Sequence, residues 1–325
     1  MKNLITILIT IFLSISLEAF TLNNYGSYSF EKVNNNVYVM HGPTGRPNTL
    51  NEGYVNNVGL IVSKNGLIII DPGGNYKVGK KILVEVEKIS KKPIIAIINS
   101  DKYGKHWFAN KSIVEKYPNV KIYANALMVK ENREGFANYR YDVLNRLSEN
   151  LNGSKEFSYP KHKIYNTREV LIDDEKFVFH IPQYSHTASD LIVEHENSQT
   201  LFLGVNLLNS CLGTFDGKSS ILGNLQLLEN IKHWKKFKLY VPGHGKSGNF
   251  SAAVSPFLHY LSVLKDEAQK AYDNDRQIYE IVPIVKKRLH DYKDWSGYSK
   301  KIGKHLSKVY NELIKEDLEF ISAHN

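Results

Sequence analysis

The chain of 325 residues is 42% hydrophobic, 23% charged and 11% aromatic, a balance that supports a sizeable core and excludes a disordered chain, a collagen-like repeat and a multi-span membrane protein. Its one cysteine, Cys211, excludes an internal disulfide framework and a cysteine-based zinc knuckle, so any metal would have to be held by histidine and carboxylate. The net charge of +9 comes from 42 Lys+Arg against 33 Asp+Glu. The lysines fall in short interrupted groups, such as Lys77, Lys80 and Lys81, or Lys235, Lys236 and Lys238. That reads as a solvated face rather than a stripe of phosphate contacts, and no nucleic-acid partner is expected.

Residues 1–19 have the three parts of a secretory signal: the basic start at Lys2, an apolar run from Leu4 to Leu17, and the small residue Ala19 at a cleavage point. The run is shorter than the ~20 residues a spanning helix needs. The expectation is a periplasmic or secreted chain with no transmembrane span once the signal is removed.

From Ser29 to Asn99 the pattern is strand-like. Val58–Val62 and Leu67–Ile70 flank Asn65-Gly66 and predict a β-hairpin. Tyr76 to Ile89 carries Val78, Ile82, Val86 and Ile89 at helical spacing. The continuous apolar run from Pro93 to Ile98 predicts a strand buried on both faces. A helix is predicted over Trp107–Tyr117, a strand over Val120–Ala124 and a helix over Ala126–Leu147. The polar stretch Ser148–Thr167 reads as a capping loop. Strands return at Glu169–Ile172, Lys176–Ile181, Leu191–Glu194 and Thr200–Leu203. After Ser251 the signal is helical only: Pro256–Tyr272, Ile278–His290 and Lys300–Glu319. The division expected is a signal over 1–19, a layered α/β domain over 20–250 and a helical extension over 251–325.

Of twelve histidines, three stand in loops directly after strand-like runs, where side chains from distant sequence converge on one sheet edge. They are His106, His186 and His244, the last inside Val241-Pro242-Gly243-His244-Gly245. His41, His162, His195, His233 and His324 read as structural or solvated.

The hairpin ending in Asp71-Pro72-Gly73-Gly74, the segment Ile98 to Asn110, the segment from His186 to Asp190, the Leu201–Gly204 strand and the Pro-Gly-His-Gly stretch stand in the order seen in the metallo-β-lactamase superfamily. The chain resembles that family over roughly residues 28–250. Its tail, including Val309 to Leu313, resembles that of the exported quinoprotein-associated zinc metallohydrolases. The resemblance implies a four-layer αββα sandwich holding one or two zinc ions at one edge of the sheets, where an activated water attacks an ester, amide, lactam or thioester.

Carried over residue by residue, the family's His-x-His-x-Asp-His motif places Asp101 at the first histidine, Tyr103 at the second, Lys105 at the aspartate and His106 at the last histidine. His186 and His244 match the remaining histidines, and Val205 stands where the bridging aspartate is expected. Asp71 matches the residue that orients the ligands from behind. An ammonium ~3.5 Å from a zinc ion would be repelled by about 9 kcal/mol at an effective dielectric of ~20. Lys105 therefore reads as a replacement for the metal's charge, paired with Asp101.

Two readings stay open. In one the pocket is non-catalytic and binds a small molecule or a periplasmic protein. In the other Asp101, His106, His186 and His244 converge on a single zinc ion and hydrolyse an ester, thioester or lactam.

Overall fold

The computed structural model describes residues 28–149, 151–234 and 236–324. The expected export signal over 1–19 lies outside them. The first sheet has seven strands in chain order: β1 (Glu31–Asn34), β2 (Val37–Met40), β3 (Val58–Val62), β4 (Leu67–Ile70), β5 (Ile94–Asn99), β6 (Lys121–Asn125) and β7 (His162–Ile164). The second runs β12-β11-β10-β9-β8, from β8 (Arg168–Ile172), β9 (Glu175–His180), β10 (Ile192–His195), β11 (Thr200–Leu208) and β12 (Leu239–His244).

Period-two alternation builds the layers. In β4, Ile68 and Ile70 enter the core between the sheets beside Phe179, Val193 and Phe202, while Leu67 and Ile69 face outward. There they meet α1 (Tyr76–Ile89) through Val78, Ile82 and Val86, and α2 (Asn110–Lys116) through Ile113. The Asn75 side chain caps α1 by accepting from Val78 N at 2.8 Å. The outer face of β11 packs Leu201 and Leu203 against α5 (Ile221–Lys232) and α6 (Ser255–Asp273). Helix, sheet, sheet, helix is the expected αββα sandwich. At about 1.5–3 kcal/mol for each fully buried Leu, Ile or Phe, these three apolar layers hold it together.

The last helices are α6, α7 (Ile278–Arg288) and α8 (Tyr298–His324). Phe257, Val285, Ile302 and Leu306 share one apolar cluster with Leu201 and Leu228, so the extension packs on the sandwich. Glu312 of α8 accepts from Ile221 N at 3.1 Å and Leu222 N at 2.9 Å. It thereby fills the open donors at the start of α5, where a negative charge also suits the helix dipole. Among the described residues no helix is long and apolar enough to cross a membrane.

Three sequence expectations need correction. The helix over Ala126–Leu147 is broken into α3 (Ala126–Glu131) and α4 (Ala137–Ser148), with a π turn at Asn132–Phe136 in which Gly135 takes φ 116°. Residues 130–135 carry no apolar side chain, so apolar spacing gives no sign of whether one helix or two spans them. Of the helix expected over Trp107–Tyr117 only α2 (Asn110–Lys116) is helical; turns occupy 107–109, and a 3-10 turn, Gly104–His106, precedes them. The stretch Ser148–Thr167 contributes β7, a three-residue edge strand paired parallel to β6.

Candidate functional site

Asp71 ends β4 with φ 52°, a left-handed backbone that a short polar side chain tolerates. Its Oδ1 accepts from Ser100 N at 2.8 Å, and its Oδ2 accepts from Ser100 Oγ and from His106 Nδ1, the latter at 3.0 Å. The end of β4 is thus tied to the end of β5, and the His106 ring is fixed with Nε2 pointing away from Asp71. That atom lies 3.6 Å from Asp101 Oδ2, and both are buried without a hydrogen-bond partner. Burial pushes the Asp101 carboxyl up, against the pull of nearby His106 and Lys105.

His244 ends β12. Gly245 after it has φ 88°, and a Cβ there would lie 2.0 Å from Asn209 O, so only glycine fits. Asn57 clamps the loop by donating to Pro242 O at 2.8 Å and Gly245 O at 2.6 Å. The carbonyl of Val55 can only accept, so His244 Nδ1 carries the proton in their 2.5 Å contact and Nε2 is left as an acceptor. Lys105 Nζ lies 2.6 Å from that Nε2 and donates to it. Burial, reinforced by the adjacent lysine, holds the His244 imidazole well below its ordinary value. Burial likewise lowers Lys105. The direct partner of Lys105 is therefore His244, a correction to the expected pairing with Asp101. The 3-10 turn points the amine across the site, while Asp101 turns to His106 and to Tyr103 N at 3.2 Å.

His186 is positioned by its backbone N donating to Asn206 Oδ1 at 3.2 Å and by its ring lying 5.1 Å from that of Phe215. Its Nδ1 is buried and unpartnered, and burial drives its titration well below the usual value. The loop before β10 is knit by Asp190, which accepts from Thr187 N at 2.8 Å and Ser185 Oγ at 3.2 Å; burial raises it to about 8. Tyr103 donates to Asp216 Oδ2 at 2.8 Å, and Val205 is buried in β11.

Sequence reasoning missed Asn57 and Asn206, neither of which stands in a histidine-bearing pattern, and it gave Asp190 no role although that residue closes the segment from His186 to Asp190. It also missed His305 of α8. The His305 Nε2 donates to Gly213 O at 3.2 Å, and its Nδ1 accepts from Tyr260 OH at 2.8 Å. This ring ties the extension to the loop beside His186. Burial lowers it to about 4, below an unfolded value of ~6.5. Its stabilising contribution is complete above pH ~6.5 and is lost as pH falls toward about 4. By pH ~5 the loss reaches about 2 kcal/mol. Urea unfolding of the parent and His305→Gln should show the parent losing stability more steeply over this window; parallel curves would contradict the assignment.

Tyr103, Lys105, His186 and His244 line a cavity of about 680 Å³, and Asp101 and His106 are fully buried. Asp101, His106, His186 and His244 come to this one edge of the sandwich, with the His106 and His244 rings 5.5 Å apart. They do not fit a divalent ion as they stand. The lone pair of His244 that would bind it is taken by Lys105, and among the described residues no group of three or more His, Cys, Asp or Glu is disposed to hold a metal.

A family model described as the metallo-beta-lactamase superfamily matches residues 52–244. A "Metallo-beta-lactamase type 2" of Bacillus sp. (strain 170) is 22% identical over 244 residues, 75% of this chain and 84% of that protein. The stereoselective inverting sec-alkylsulfatase Pisa1 from Pseudomonas sp. superposes with a TM-score of 0.67 at 14% identity, covering 87% of this chain. Only 50% of the sulfatase is covered, so this chain spans half its length. A metallo-beta-lactamase from Pontibacter korlensis superposes with a TM-score of 0.56 at 17% identity, over 72% of this chain and 98% of that one. At these identities the structural likeness shows the fold alone.

Proposed function

Because the chain belongs to the metallo-β-lactamase superfamily, we propose that it is a member whose histidine-rich sheet edge has become a ligand-binding pocket in place of a dinuclear zinc hydrolase centre. The observation that carries this reading is the 2.6 Å contact of Lys105 Nζ with His244 Nε2. A lysine here supplies positive charge where the family has a dication. With Tyr103 and Val205 also at ligand positions, too few donors remain for two ions. The reading extends to an exported protein, periplasmic or secreted, of the branch resembling the quinoprotein-associated metallohydrolases. In it residues 20–250 form the sandwich domain and 251–325 an extension. Its partner is a small molecule or a periplasmic protein.

A second reading is favoured by one specific observation. Asp101 Oδ2, His106 Nε2 and His186 Nδ1 are all buried and unpartnered, which is costly unless something is bound. A single zinc ion, bound after Lys105 swings aside and these side chains close together, would take up their lone pairs and would leave a hydrolase of an ester, thioester or lactam. The name of the sulfatase neighbour adds alkyl sulfate esters to the substrates worth assaying.

The two readings separate in one assay. Hydrolysis of a chromogenic lactam, a thioester and an alkyl sulfate should stay at background, with or without added zinc or chelator. Zinc-dependent turnover that disappears in His244→Ala would establish the second reading instead.

A further inference from the structure

The mouth of the cavity carries four cations that no residue role above has used. Arg46 lies on the loop between β2 and β3, Arg140 on α4, and Lys300 and Lys301 on the first turn of α8, and all four line the cavity. They come from three separate parts of the chain, so the fold gathers them. Among the described residues Asp216 is the only carboxylate lining the cavity, and it is already engaged by Tyr103 OH at 2.8 Å and by Lys102 Nζ at 3.7 Å. The Arg140 guanidinium lies 4.9 Å from the centre of the Tyr103 ring, with its buried Nε unpartnered. Lys301 donates to Thr214 Oγ1, a neutral group. Burial lowers Lys301, and the adjacent Arg46 and Lys304 lower it further, the mark of like charges crowded together.

Two more features point the same way. Helix α8 opens on the cavity at Gly297 and Ser299, which brings the positive end of a long helix dipole to the same rim. The wall beside Arg140 is apolar and aromatic, formed by Phe136, Tyr139 and Leu147. A cavity of about 680 Å³ has the size of a site for one small molecule, not for a polymer.

We propose that this cavity binds an amphiphilic organic anion: an apolar or aromatic body lying against Tyr103, Phe136 and Tyr139, and a carboxylate, sulfate monoester or phosphate monoester head received by Arg46, Arg140, Lys300 and Lys301. The inference rests on the pocket being a ligand site, as argued above, and names the class of ligand. The charge is recognised by side chains that the helical extension and α4 bring to the rim.

The test uses the full chain after chelator treatment, titrated calorimetrically with 4-nitrobenzoate, 4-nitrophenyl sulfate and 4-nitrophenyl phosphate, and with neutral 4-nitroanisole. At least one anion should bind about tenfold or more tighter than the neutral probe. That preference should shrink as salt rises from about 20 to about 300 mM. The double variant Arg46→Gln/Lys300→Gln alters two exposed side chains, which spares the core, and should lose about tenfold for the anion and little for the neutral probe. The anion that binds tightest identifies the head. Equal affinity for neutral and charged probes, or no effect of the double variant, overturns this inference while leaving a metal-free pocket standing. Anion binding that appears only on adding zinc overturns both.

Discussion

Asp71→Ala is expected to lower the unfolding free energy by about 3–5 kcal/mol. The carboxylate is buried and accepts from Ser100 N, Ser100 Oγ and His106 Nδ1. Removing it strands three donors in a site that water does not reach, and each unmade bond costs about 1–3 kcal/mol. The left-handed backbone at φ 52° adds a smaller penalty for alanine, about 1 kcal/mol. Asp71→Asn keeps a short polar side chain suited to that backbone and one oxygen for the amide of Ser100, so its loss should be about half as large. Chemical denaturation of the three proteins, read by midpoint at equal slope, measures both differences. A variant Asp71→Ala within about 1 kcal/mol of the parent would mean that the end of β4 is not what fixes Ser100 and His106.

Much of the sandwich was legible because its signals are local. Asn65-Gly66 between two apolar runs marks the β3–β4 hairpin, and Val78, Ile82 and Val86 mark the buried stripe of α1. The break at Gly135 was not, because a single positive φ leaves no period behind. The strand β7 was lost in polar residues because a three-residue edge strand has too little buried surface to impose alternation. At the site, His106, His186 and His244 could be read from strand-end position and from the family's order. The direction of the Lys105 side chain could not, since it follows from how the 3-10 turn Gly104–His106 sits against β12. Asn57 and Asn206 act through tertiary hydrogen bonds to backbone far away in sequence, and an isolated asparagine carries no motif. The rim charges at Arg46, Arg140, Lys300 and Lys301 were hidden for the same reason. In the sequence they were part of a diffuse excess of +9; in the fold they face one cavity.

The largest effect on ligand preference belongs to Lys105→Met. The substitution keeps an unbranched side chain of similar length and removes the amine that donates to His244 Nε2. It frees the lone pair of His244, already fixed in the right tautomer by Val55 O at 2.5 Å, and it removes a cation from beside the three unpartnered buried atoms of Asp101, His106 and His186. A lysine ammonium ~3.5 Å from zinc is repelled by about 9 kcal/mol at an effective dielectric of ~20. If screening and side-chain movement leave only a third of it, zinc affinity should still rise about 100-fold. The stability cost should be small, about 1–2 kcal/mol, because His244 loses one donor but keeps its contact with Val55. The direct measurement is zinc binding by competition with a chromophoric chelator, on the parent and on Lys105→Met, together with the zinc content of the parent purified after growth with zinc. The parent should carry far less than one zinc per chain and compete weakly, and Lys105→Met should compete about 100-fold better. A parent that retains about one zinc per chain, held as tightly as in Lys105→Met and lost on His186→Ala, would contradict the replacement of the metal by Lys105.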